Sequence, residues 1–273
     1  LILNMGSPVS TEYINIDECH ERTLAKNLIS NVFSPPANVS AMDGFGINTN
    51  ASSKNKIYHL TGEISAGQVF KKKILKGQAV RIFTGATIPD GVNKVIPQEL
   101  VISKRKNMLR FSESQSSFIR QRGSNFKAGF KVNKNTFLSP KVISLIASMN
   151  KKSIPVYRKV NIAILSIGNE LSYPGSRLAN YKISSSNSYG IKAYLEGINS
   201  NVHLNPIVKD NLNMITKTIK SLLSYDIVIT IGGASVGKYD LVHDAALNAG
   251  AKFEFTEVNI RPGKPFKAGK IET

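Results

Sequence analysis

The chain has 273 residues and a mass of 29.8 kDa, with 36 Lys+Arg against 18 Asp+Glu and a formal net charge of +18. At roughly 150 residues per domain this length suggests about two domains, and 41% apolar residues is too many for a disordered chain. No apolar run approaches the ~20 residues of a bilayer span, Leu1-Ile2-Leu3 carries no basic flank of a signal peptide, and the single Cys19 excludes an internal disulfide framework or a Cys-rich zinc site. The expectation is a soluble cytoplasmic protein with no membrane contact.

Residues 1 to about 37 read as mixed, with a helix near Asp17–Leu24 and a stop at Pro35-Pro36. From about 38 to 127 short alternating runs predict strands at Ile57–Ile64, Ala79–Phe83, Lys94–Ile102 and Ser117–Arg122, separated by Gly, Pro and Asn turns. Ser139-Pro140 opens a helix in the favoured cap order, with Val142, Ile143, Ile146 and Met149 on one side. An extended piece follows at Ile154–Tyr157.

Beyond 160 the pattern alternates strand and helix. Strands are predicted at Asn161–Ser166, Val202–Val208, Asp226–Ile231 and Phe253–Val258. Helices are predicted at Asn187–Ile198 (Ile191, Tyr194, Leu195 and Ile198 in register), Asn211–Leu223 and Asp240–Ala249. Such alternation means a parallel sheet with helices on both faces.

In open α/β sheets ligands bind beyond the carboxyl ends of the strands. Gly168-Asn169-Glu170, Asp210, Gly232–Asp240 and Arg261-Pro262-Gly263-Lys264 follow the four predicted strands in turn, the outline of a phosphate-and-metal site. Gly232-Gly233-Ala234-Ser235-Val236-Gly237-Lys238 matches the spacing of a P-loop, but Tyr239 stands where the magnesium-binding hydroxyl belongs. What remains is a glycine-rich turn whose helix N-terminus offers free N–H groups to an anion. Structural readings stand beside the functional ones. Asp210 fits a helix N-cap, Asp240 a first-turn acid, and Glu170 an exposed loop acid. Asn38–Gly44 fits an Asx-type turn with Gly44 at positive φ, and Thr84-Gly85-Ala86 is equally ambiguous. His20, His59, His203 and His243 form no metal-spaced pair.

The +18 charge suits phosphate neutralisation. Yet 27 of the basic residues are Lys and only 9 are Arg, spread along the chain in runs such as Lys71-Lys72-Lys73, which read as solvated surface.

The ordered set Asn38–Gly44 (NVSAMDG), Arg81–Pro89 (RIFTGATIP), Val95–Glu99 (VIPQE), Ser166–Leu171 (SIGNEL), Ser186–Tyr189 (SNSY), Gly232–Asp240 (GGASVGKYD) and Ile260–Pro265 (IRPGKP) resembles the molybdopterin molybdenumtransferase family, the MoeA type that includes the E domain of gephyrin. The resemblance implies a multidomain α/β plus β fold. Residues 38–127 would be an inserted β-rich domain, 1–37 plus 128–158 a small discontinuous mixed α/β linker domain, and 159–273 a doubly wound, MoaB/Mog-like molybdopterin-binding domain.

It also implies an enzyme of molybdenum cofactor biosynthesis. Adenylylated molybdopterin and molybdate would be its substrates, Mg²⁺ its cofactor and AMP a product. Asp210 and Asp240 would hold magnesium. Ser235, Arg261 and Lys264 would hold molybdate and ligand phosphates, with Gly232, Gly233, Val236, Gly237 and Gly263 lining the pterin site. Asp43, Thr84 and Glu170 would complete the pocket, shared across a homodimer. A molybdopterin adenylyltransferase would act upstream, with no nucleic acid as partner.

Three departures accompany the resemblance. Ser124-Asn125 replaces the family's acidic pair, and Asn169 replaces the aspartate of its Thr-Gly-Asp-Glu. The chain stops at Thr273, before the family's Gly-Leu-Pro-Gly-Asn-Pro segment and C-terminal β domain, so a fragment is expected. The alternatives are a non-catalytic pterin-binding scaffold and, behind it, a basic nucleic-acid-binding module.

Overall fold

In the computed structural model the described residues are 5–49, 57–233 and 240–272. They form two units. One draws on the described residues of Lys26–Thr136 and Pro140–Lys152, the other on those of Leu1–Ala25, Phe137–Ser139 and Ser153–Thr273.

The first unit is built on a six-stranded sheet in the order Lys94–Pro97, Gly44–Ile47, Gln78–Ile82, Tyr58–Ile64, Met108–Phe111, Val101–Arg105. Only Tyr58–Ile64 and Gln78–Ile82 run parallel; the other pairs are antiparallel. Successive side chains alternate faces, so Ala79 and Ile96 join Phe45, Ile47, Tyr58 and Leu109 in one core, while Val80 and Val95 join Ile64, Ile74 and Ile82 in another. The strand expected at Lys94–Ile102 is two strands, because the chain turns through a 3-10 helix at Gln98–Leu100 directly after Pro97. The helix expected after Ser139 spans Pro140–Ser148 and buries Ile146.

In the second unit Thr11–Asn15 pairs antiparallel with Ser153–Tyr157. The helix expected at Asp17–Leu24 is only a 3-10 turn, Ile16–Glu18. Beyond it, long-range backbone pairing outcompetes local helix formation. Thr23 bridges Phe137, Leu24 bridges Val156, and the Leu138 N–H donates to the Arg22 carbonyl at 2.8 Å.

Asn161–Ser166 is the centre of a parallel sheet, flanked by Asn201–Leu204 and Ile227–Ile231. Leu165 and Ile167 pack with Ile215 and Ile219 of the helix Leu212–Ser221 and Ala245 of the helix Leu241–Asn248. Ser166 points to the other face, where its hydroxyl meets Ser185 at 3.2 Å, and Ser185 meets Ser188 of the helix Asn187–Gly197 at 3.2 Å. Helices therefore cover both faces. Tyr194 and Ile198, expected on the core side of that last helix, are 72% and 60% exposed; small Ser188 makes the close contact instead.

The second strand is shorter than expected, since Pro206 has no N–H for the ladder, and Val208 rejoins it through a bridge to Ile167. The expected fourth parallel strand is also corrected. Ala251–Phe255 pairs antiparallel with Ala268–Ile271, forming a separate hairpin with the segment containing Arg261–Lys264 between its strands. At the amino ends of the parallel strands, Arg158 forks onto Asp226 with two bonds of 2.6 Å, and the Asn161 N–H donates to the same carboxylate at 2.8 Å. Among the described residues no helix is long and apolar enough to cross a membrane.

Candidate functional site

Because the three strands are parallel, their carboxyl ends deliver Gly168-Asn169-Glu170, Lys209-Asp210 and Gly232-Gly233 to one edge. Gly232 lies at φ +88, and a Cβ there would sit 2.1 Å from the Ile167 carbonyl oxygen, so only glycine lets the first and third strands end this close together. Residues 234–239, and with them the expected Ser235, Val236 and Gly237, lie outside the described residues.

Asp210 is not the cap of the following helix. Asn211 is, accepting from the Met214 N–H at 3.0 Å. The Asp210 carboxylate turns instead to the first strand end, where its Oδ2 accepts the Asn169 N–H at 2.8 Å. Lys182 donates to the Asn169 carbonyl. Glu170 is exposed, its carboxylate folded back over Gly168. Asn169, Glu170, Tyr181, Lys182 and Lys209 line an open pocket of ≈ 510 Å³. Tyr181, Lys182 and Lys209 were absent from the sequence-based candidates; the only available signal was Lys209 standing beside Asp210.

Asp240, expected as a first-turn acid, is itself the N-cap of Leu241–Asn248. Its Oδ1 accepts the His243 N–H at 2.9 Å, and its Oδ2 pairs with the ammonium of Lys267. Among the described residues no hydrogen bond or ion pair joins Asp210 to Asp240. Arg261, Gly263 and Lys264 sit exposed in the hairpin's connecting segment, where the Val258 N–H donates to the Lys264 carbonyl at 3.0 Å. The Lys264 ammonium is 3.6 Å from Glu257, an exposed pair worth little on its own.

Asp43 and Thr84 meet in the other unit. Asp43 Oδ1 accepts both the Thr84 N–H and the Thr84 hydroxyl at 2.8 Å. Those two bonds, with the Arg81 charge adding to them, hold the carboxyl below its ordinary range. Gly44 is not in a positive-φ turn. It begins a strand, and a Cβ on it would lie 2.1 Å from the Ile96 carbonyl oxygen. Asn125 accepts from Arg120 at 2.8 Å and donates to the Ser34 hydroxyl at 3.1 Å; a carboxylate has no N–H for the second bond.

Magnesium takes oxygen ligands, one or two carboxylates together with waters and substrate phosphates. Asp210 suits it: one oxygen is held by Asn169, and the other accepts no hydrogen bond among the described residues. Asp240 is already paired with the Lys267 ammonium. Among the described residues no group of three or more His, Cys, Asp or Glu gathers to bind a metal.

Residues 1–150 match the family described as MoeA N-terminal region (domain I and II), and residues 163–272 match the probable molybdopterin binding domain. A curated relative from Haemophilus influenzae, molybdopterin molybdenumtransferase, is 34% identical over 269 residues, covering 97% of this chain and 66% of its own. One of the same name from Nostoc sp. is 32% identical over 282 residues, covering 100% of this chain and 64% of its own. The chain thus spans just under two thirds of these relatives' length. Two solved MoeA structures from Pyrococcus horikoshii also match. One has a TM-score of 0.84 at 22% identity, over 99% of this chain and 70% of its own. The other has a TM-score of 0.80 at 25% identity, over 95% and 67%.

Proposed function

We propose, from the premise that the chain belongs to the MoeA family, that it acts in molybdenum cofactor biosynthesis as a molybdopterin molybdenumtransferase. It would cleave adenylylated molybdopterin, release AMP and leave molybdenum on the dithiolene. The observation that carries this reading is the pocket at the carboxyl edge of the parallel sheet, where Lys182, Lys209 and Glu170 surround the Asn169 strand end that Asp210 fastens.

In this reading Asp210 and Asp240 hold Mg²⁺. The ion supplies charge neutralisation for the phosphate during cleavage. Asp210 is fixed in direction by the Asn169 N–H, and Asp240 by the His243 N–H, so neither carboxylate reorganises when charge develops. Ser235, Arg261 and Lys264 hold molybdate and the ligand's phosphates as anion-binding groups. Gly232, Gly233, Val236, Gly237 and Gly263 admit the pterin, and Asp43, Thr84 and Glu170 complete the pocket. The division into 1–37 plus 128–158, 38–127 and 159–273, the homodimer with a shared site, the upstream molybdopterin adenylyltransferase and the cytoplasmic setting belong to the same proposal.

A second reading is a pterin-binding homologue without turnover. It is favoured by Asn125 and Asn169, neutral residues engaged in hydrogen bonds at two positions where the family carries acids. Single-turnover AMP release in the full chain, with magnesium titrated, separates the two. The enzyme releases AMP, and Asp210→Asn slows release by orders of magnitude while substrate still binds. Binding without release in the wild type supports the scaffold.

A further inference from the structure

The Asp240 carboxylate is 10% exposed and the Lys267 side chain that meets it 20%. Burying an ionised carboxylate without a partner is costly. Here one oxygen is satisfied by the His243 N–H at the start of the helix and the other by the ammonium. Lys267 immediately precedes the strand Ala268–Ile271, and Ala268 is paired to Phe255, so its backbone is fixed by the hairpin. His243 stacks on Phe253 of that hairpin with ring centroids 4.5 Å apart. The helix start, the hairpin and the ion pair therefore form one assembly in which the ammonium faces Asp240 by construction.

We propose that Lys267 is the resting counter-cation of Asp240 and that magnesium must displace it, so that Lys267 sets how weakly this chain holds the free ion. The inference rests on the magnesium reading given above. A carboxylate oxygen shared by an ammonium and a dication would place two positive centres a few ångströms apart, a repulsion that stays unscreened where water is excluded. The exchange is therefore one cation for another. Its flexible four-carbon stem lets the lysine leave without moving the hairpin. The displaced ammonium is then free to meet an anionic oxygen of the ligand, which makes magnesium and a phosphate-bearing ligand bind more tightly together than apart.

The test is calorimetric titration with Mg²⁺ alone, without substrate, on the full chain. Lys267→Gln keeps a hydrogen-bond donor near Asp240 but removes the charge, and should bind Mg²⁺ at least ten-fold more tightly than wild type. Lys267→Arg keeps the charge and should bind like wild type. Asp240→Asn, which still caps a helix, should abolish the gain when combined with Lys267→Gln. Unchanged or weaker binding by Lys267→Gln overturns the inference. If Asp240→Asn alone loses the wild type's Mg²⁺ binding at the same time, the magnesium reading stands and only the role of Lys267 falls. A gain that persists in the double variant overturns both, because it does not pass through Asp240. In wild-type protein the Lys267 ammonium protons should be slow to exchange without Mg²⁺ and fast with it, by NMR; protection unaffected by saturating Mg²⁺ also overturns the inference, whether or not the variants fold.

Discussion

Asn169 and Asp210 exchange hydrogen bonds. The Asn169 N–H donates to Asp210 Oδ2 at 2.8 Å, and the Asp210 N–H donates back to Asn169 Oδ1 at 3.3 Å. Two strand ends are thus tied by their own backbones, and each side chain serves as the other's acceptor. The amide at 169 is sufficient for this. A carboxylate there would accept the same bond and bring a second negative charge.

Restoring that charge should separate structure from ion binding. Asn169→Asp should keep the reciprocal pair and lower the metal-free melting temperature by a few degrees, through repulsion from Asp210. If magnesium binds at Asp210 as proposed, the variant should tighten Mg²⁺ roughly ten-fold by offering a further carboxylate beside Asp210. Thermal melts with and without Mg²⁺ check it: equal Mg²⁺-induced shifts in variant and wild type would show that position 169 is remote from the ion.

Asp43 offers a titration with a defined sign. Its carboxyl is held low first by the Thr84 N–H, then by the Thr84 hydroxyl. Thr84→Val removes only the hydroxyl, so the Asp43 pKa should rise part of the way towards 3.8. Carboxyl-carbon NMR across pH 2 to 6 reads this directly. No rise would mean that the hydroxyl contributes nothing and that the backbone N–H and the Arg81 charge set it.

At the other unit's amino edge, Arg158 and then the Asn161 N–H lower the Asp226 pKa. A folded pKa below the unfolded one means that the contribution is complete above the unfolded value, about 3.9, and fades as pH falls through the folded value. Arg158→Met should therefore destabilise the protein at pH 7, where the bidentate pair is fully charged. The deficit should shrink below pH 4. Denaturant melts at pH 7 and pH 3 compare the two; a deficit that is the same at both would exclude the ion pair as its source.

Two glycines should respond with opposite signs. Gly232→Ala meets both a positive φ and the Ile167 carbonyl, and should destabilise by roughly 2 kcal/mol or more. Gly190 lies within the helix Asn187–Gly197 with nothing within 4 Å of an added Cβ, so Gly190→Ala should stabilise by roughly 0.5–1 kcal/mol. Urea midpoints of the pair check the prediction, and a stabilising Gly232→Ala would mean that the strand ends are not in contact.

Local pattern made the α/β half readable. The helix at Leu212–Ser221 buries Ile215 and Ile219, and Asn161–Ser166 is a continuous apolar strand, both as the spacing indicates. What pattern left open was decided at long range. Nothing near Thr11 announces its pairing with Tyr157, and nothing near Ala251 tells whether a strand will join a parallel sheet or fold back on Ile271. The same limit applies to the site. Asp210 and Asp240 each precede a helix, and their different uses follow from partners 41 and 27 residues away.

The Arg158–Asp226 fork and the Asn169–Asp210 exchange sit at opposite ends of the strand Asn161–Ser166. Six residues at ~3.3 Å each separate them by about 20 Å, more than twice the reach of a charge at physiological salt, about 8 Å. If the second edge holds magnesium as proposed, the two edges answer to different variables: acidity acts on the first through Asp226, and cation supply on the second. Ranking variants by acid melting would report the health of the amino edge. A variant altered only at the Asn169–Asp210 exchange would pass such a screen unnoticed.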